Sequence, residues 1–266
     1  MDIKKIVITG DSWTMAWLST VQGHARGFPL FSKALSYFDD EFVVEDYSAP
    51  GSGNFASFND AVSKIDEVDY LIHFFTDPVR DYGELRELSV ITDRPVAEKL
   101  YQKFVHGIQN VKHYKQYIDN TTYEFYTRLQ KVVKKFNCKV LLIGGCHPVN
   151  TKMLFEFDRI ISPIPNLLEW YIKKFIAKQS PFKNVETVSD FYIARPNWVH
   201  LLDEKCNEEF INYVYEKKKT VNEIQNSWDT ENLNNIIGMW PDSWHINASG
   251  LLQAAFHVQN IIRNDF

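Results

Sequence analysis

"KKIVITGDSW", residues 4–13, decides how the rest of the chain is read. Ile6, Val7 and Ile8 form a short, apolar, β-branched run that ends at Gly10. Such a run suits a strand covered on both faces, as in a parallel sheet. Asp11 and Ser12 follow at once. Gly, Asp and Ser are ordinary turn residues, so a turn or a helix cap accounts for them locally. At the carboxyl end of the first strand of a parallel sheet, the same residues also suit a nucleophile held over a cleft. That second reading needs a base, an orienting acid and an oxyanion hole elsewhere in the chain.

Three further segments share the strand pattern: "FVVEDYS" (42–48), "VDYLIHFF" (68–75) and "CKVLLIGG" (138–145). Between them lie helical patterns, "FPLFSKALSYF" (28–38), "FNDAVSKID" (58–66) and "YEFYTRLQKVVKKF" (123–136). In "NASGLLQAAFHVQNIIRNDF" (247–266), Leu251, Ala254, Ala255, Val258, Ile261 and Ile262 share one helical face, with Asn247 or Ser249 as cap. This alternation predicts an α/β fold with a central parallel sheet and helices packed on it. The 266 residues suit a single domain, with helical insertions expected at about 83–135 and 151–235.

Composition narrows the function classes. The net charge is −5, so no long-range field recruits nucleic acid or an anionic membrane. The clusters "KVVKK" and "EKKKT" read as solvated helix faces. No secretory leader and no membrane-length apolar run is seen, and a cytoplasmic location is expected. Cys138, Cys146 and Cys206 are odd in number, which suits a reducing compartment. No Cys/His spacing resembles a zinc site, and neither a metal nor a cofactor is expected.

The base and acid are found in "WPDSWHINASG" (240–250). Asp242 and His245 are three residues apart, a spacing that lets a carboxylate fix the imidazole tautomer and support its charge. The loop into the last helix would bring them to the carboxyl ends of the strands, where Ser12 also stands. "EDYSAPGSGNF" (45–55) follows the second strand, and Gly51 offers a backbone N–H in a tight loop. That N–H beside the one of Ser12 would make two oxyanion donors.

These motifs resemble those of the SGNH hydrolases, also called GDSL-type esterases. Gly10-Asp11-Ser12 is similar to the family's first block and Asp242-Ser243-Trp244-His245 to its "DxxH" block. Gly51 matches the glycine of the second block, and "APGSGN" is similar to a subgroup loop reading Pro-Gly-Ser-Ser-Asn. The third block, usually Gly-x-Asn-Asp, is replaced by "HFFTDPVRDY" (73–82), in which no Asn stands. The same subgroup often has Thr/Ser-x-Pro-x-Arg there, and "TDPVR" is similar. An ionised Asp77 only accepts, so Asn54 or Thr76 is expected to replace the missing amide donor.

The resemblance implies a three-layer, flavodoxin-like fold and a serine esterase that needs no cofactor. Ser12 would be the nucleophile, His245 the base and Asp242 its orienting acid. The oxyanion would be held by Ser12 and Gly51 with Asn54 or Thr76. The substrate would be a small-molecule or carbohydrate ester, such as an O-acetyl sugar. An acyltransferase with the same site and a catalytically weak binding protein are the alternatives, and the oligomeric state is left open. Among the remaining residues, His73 is expected to be a satisfied core histidine, and His147, after the fourth strand, is likewise read as a structural residue, with lining the cleft as the alternative. Arg80 is expected to pair with Asp77. Trp13, Trp240 and Trp244 suit packing and sugar stacking equally.

Overall fold

The computed structural model describes residues 3–18, 26–28, 30–37, 39–49, 51–76, 78–81, 114–145, 147–171 and 248–264. The run Lys4–Gly10 forms β1, and Ile6, Val7 and Ile8 in it are fully buried. β1 pairs in parallel with β2 (Phe42–Asp46) on one side and β3 (Tyr70–Phe75) on the other. β3 pairs with β4 (Lys139–Gly144), and β4 with β5 (Ile160–Ile164), again in parallel. The five-stranded order is therefore β2-β1-β3-β4-β5. That is the flavodoxin-like order, with its topological switch point between β1 and β3. The fold is α/β, as the alternation of strand and helix patterns predicts.

Helices cover both faces. α1 (Leu30–Tyr37) packs against α6 (Ala248–Arg263), and Phe31 of α1 stands edge-on to Phe74 of β3 at 4.8 Å. On the opposite face α2 (Asn54–Lys64) and α3 (Tyr114–Phe136) share a core. It joins Phe58, Ala61, Phe125, Tyr126, Leu129 and Val133 to Val7, Leu71, Phe75, Val140 and Leu142. The strand residues of that core alternate along each strand, as a pleated sheet requires. α6 also secures its end: Gln259 Nε2 and Arg263 Nε both donate to the buried Asp39 carboxylate, at 3.1 and 2.8 Å. No helix among the described residues is long and apolar enough to cross a membrane.

Three expectations need correction, and two elements were not foreseen. Residues 114–136 are not part of an insertion: α3 is the crossover helix between β3 and β4, and it supplies much of one core. Residues 151–171 are not an insertion either, since they contain α4 (Thr151–Leu154), the fifth strand and α5 (Leu167–Tyr171). β5 escapes sequence reading because "IISPI" holds Ser162 and Pro163, which break the apolar run. Proline is tolerated on an edge strand, where its missing N–H costs no ladder bond. α2 starts at Asn54, not near Phe58, and a short antiparallel hairpin, Ala16–Leu18 with Arg26–Phe28, follows β1 unforeseen.

Candidate active site

β1 ends at Gly10 with φ +131°, a conformation that favours glycine. A Cβ there would also lie 2.7 Å from the Phe74 Cβ on β3. The chain then leaves the sheet in a single 3-10 turn, Ser12–Thr14. Three contacts fix that turn. Trp13 is buried, and its ring lies against Gly145, where an added Cβ would be 3.0 Å from the indole Cγ. Thr14 Oγ1 donates to Ser48 Oγ at 2.8 Å, and Ser48 Oγ donates to Asp46 Oδ1 at 2.5 Å. The Asp11 carboxylate, fully buried, accepts from the Trp13 N–H at 3.1 Å and from Thr76 Oγ1 at 2.7 Å.

The segment after β2 runs beside this turn, with Tyr47 N donating to Ile8 O and Ala49 N to Gly10 O. Gly51 follows at φ +74°, exposed, with open space where a side chain would stand. Gly53 is the N-cap of α2 and supplies no side-chain cap. Asp81, in the 3-10 turn Pro78–Asp81 after β3, supplies one instead: its Oδ1 accepts the Phe55 N–H at 2.9 Å. A carboxylate at a helix N-terminus also meets the positive end of the helix dipole.

Asn54, 1% exposed, sits at the centre. Its Nδ2 donates to Thr76 O at 3.0 Å and to Asp81 Oδ2 at 2.9 Å. Its Oδ1 accepts from Thr76 N at 2.8 Å and pairs with His73 Nε2 at 3.1 Å. A carboxamide oxygen only accepts, so His73 carries its proton on Nε2, and its Nδ1 accepts from Thr9 Oγ1 at 2.7 Å. Burial pushes the His73 pKa down from its ordinary value to about 3. His73 is thus a neutral core histidine, as its place in the third strand suggested.

Ser12, Gly51, Asn54 and Thr76 therefore gather at the carboxyl ends of β1, β2 and β3, at the switch point. Asp242 and His245 lie outside the described residues, as do Asp77, Cys146, Trp240, Trp244 and the Arg80 side chain. His147 follows β4, with its ring 5.9 Å from that of Phe75. The expectation that Asn54 or Thr76 offers the third oxyanion donor meets a geometric obstacle. Both Asn54 amide hydrogens and the Thr76 hydroxyl hydrogen are already donated to protein acceptors. Either side chain must break one of these bonds to serve an oxyanion.

Sequence reading missed Asp11, His73 and Asp81 as partners in one cluster. One signal was present: Thr9 and His73, both polar in apolar runs, are directly opposed across β1 and β3. Buried polar groups need partners, so two such residues in adjacent strands point to a shared network.

The chain is thus an α/β protein of flavodoxin-like topology with a polar cluster at its switch point. No protein-family model matches it, and no curated protein matches its sequence. Among solved structures, Est24, a carbohydrate acetylesterase from Sinorhizobium meliloti, superposes with a TM-score of 0.40 and 11% identity. The alignment covers 99% of this chain and 100% of that one. A likeness of that degree bears on neither site nor substrate; the fold rests on strand order and helix placement.

Proposed function

We propose that the chain is a serine esterase of the SGNH type that removes small acyl groups, such as O-acetyl groups on carbohydrate. The observation that carries the reading is the Gly10-Asp11-Ser12 turn at the end of β1, on the switch point of a flavodoxin-order sheet. In this reading Ser12 Oγ attacks the ester carbonyl carbon and its proton passes to His245, oriented by Asp242. The tetrahedral intermediate collapses, the alkoxide leaves with the proton from His245, and the acyl group stays on Ser12. Water then attacks the acyl-enzyme, giving the carboxylic acid and free Ser12. The backbone N–H groups of Ser12 and Gly51 hold the oxyanion.

A second reading, a ligand-binding protein on the same fold, draws on the committed protons of Asn54 and Thr76. A fluorophosphonate probe separates the two. The esterase reading expects labelling at Ser12 and hydrolysis of p-nitrophenyl acetate, both abolished in Ser12→Ala with its melting curve unchanged. A wild-type chain that takes no label, or a Ser12→Ala variant that still turns over ester, overturns it.

A further inference from the structure

We infer that Asn54 is a positioning residue: its carboxamide clamps the Thr76 peptide, and through the Thr76 hydroxyl and the Asp11 carboxylate it sets the turn that presents Ser12. The inference rests on the reading of Ser12 as nucleophile and assigns a different task to the residue expected to bind the oxyanion directly. The need for a clamp follows from the backbone. β1 pairs with β3 only as far as Gly10 opposite Phe74, because the chain then turns away into the Ser12 segment. The buried Thr76 peptide thus lies just beyond the β1 ladder, and a buried N–H or C=O without a partner is costly.

Asn54 fills that gap with a two-point bond, accepting from Thr76 N and donating to Thr76 O, much as a neighbouring strand would. Its two remaining bonds, to Asp81 and His73, leave both amide hydrogens and both oxygen lone pairs used. The carboxamide therefore has one orientation. It holds the Thr76 main chain so that Oγ1 reaches Asp11 Oδ2, while Asp11 Oδ1 holds the Trp13 N–H, one residue beyond Ser12. The path from Asn54 to the Ser12 turn consists of hydrogen bonds among buried groups, and three loops, after β1, β2 and β3, meet in it.

Two variants test it, because Asn54→Ala orphans several buried groups at once and is prone to unfold. Thr76→Val keeps the shape of the side chain and removes the bond to Asp11; Thr76→Ser keeps the hydroxyl. Both are compared with wild type for kcat and KM on p-nitrophenyl acetate, and for hydrogen–deuterium exchange at the Trp13 amide. Thr76→Val is expected to lower kcat roughly tenfold or more with KM within about twofold, since the loss is felt in the transition state. It is also expected to speed Trp13 exchange by roughly tenfold, as the carboxylate that holds that N–H loses its tether. Thr76→Ser restores both.

A fall in kcat with Trp13 exchange unmoved overturns the inference, because Thr76 would then be donating straight to the reacting oxygen. Faster exchange with kcat intact overturns it too, since the turn would then move without consequence. If the wild type labels at Ser12 and neither quantity responds to Thr76→Val, the positioning role falls and the esterase reading stands. If the wild type neither labels nor hydrolyses, the nucleophile reading falls, and the exchange data alone decide whether the clamp sets the turn.

Discussion

His73 makes stability depend on pH in a way that can be worked out from its surroundings. It is fully buried, against the Phe125 ring at 4.7 Å, and its two nitrogens are occupied by Thr9 and Asn54. Its pKa falls from 6.5 to about 3 because burial disfavours the charged ring. The native state holds it neutral, whereas the unfolded chain takes up a proton below about 6.5. The unfolded state thus binds more protons between these values, and stability is lost as pH drops through the window. At pH 5 the medium is about 1.5 units below the unfolded value and still above the folded one. At 1.36 kcal/mol per unit, the loss relative to pH 8 is about 2 kcal/mol from this group. Urea unfolding at pH 8 and pH 5 measures it, with His73→Gln as reference. Gln can donate to Asn54 and accept from Thr9 but cannot titrate, so the variant is expected to lose about 2 kcal/mol less than wild type over that interval. Equal losses in the two proteins, with equal urea slopes, would falsify the assignment of a neutral buried ring.

Two other positions give direct tests of the frame around the site. Gly144→Ala places a Cβ 1.9 Å from the Pro165 carbonyl oxygen, so β4 and the segment after β5 must separate. A cost of about 3 kcal/mol or more is expected from overpacking, read from the urea midpoint, and a neutral result would refute the close approach. Asp81→Ala removes the cap of α2 supplied from another loop and one partner of Asn54. It is expected to cost about 1–2 kcal/mol, partly recovered in Asp81→Asn, whose oxygen still accepts the Phe55 N–H.

The elements that could be read from sequence are those whose pattern is self-contained. β1 runs over Lys4–Gly10 as its apolar run suggested, and α6 buries Leu251, Ala254, Ala255, Val258 and Ile262 of the expected face, whereas Ile261 is only half-buried. Where an element depends on a distant partner, the local pattern misleads. α2 begins at Asn54 because Asp81, 26 residues beyond Phe55, caps it, and nothing within "PGSGNF" shows that. β5 is short and interrupted by Pro163, and only the β4 edge makes it a strand. The site divides in the same way. The position of Ser12 followed from a strand ending in Gly-Asp-Ser. The engagement of Asn54 did not, because its partners come from two other segments, and donors look available in a sequence until their acceptors are known.

The pairing of α1 with α6 has a consequence for synthesis. Asp39 meets Gln259 and Arg263 across 220 and 224 residues of chain. On a ribosome adding about 5–20 residues per second, that interval lasts on the order of 10–45 seconds. For most of it, the buried face of α1 is out of the exit tunnel without the helix that packs on it. The nascent chain thus carries a sticky surface for far longer than the microseconds in which a helix forms. A factor that shields apolar segments during translation has its longest window on α1, and loss of that shielding lowers soluble yield without altering the finished fold.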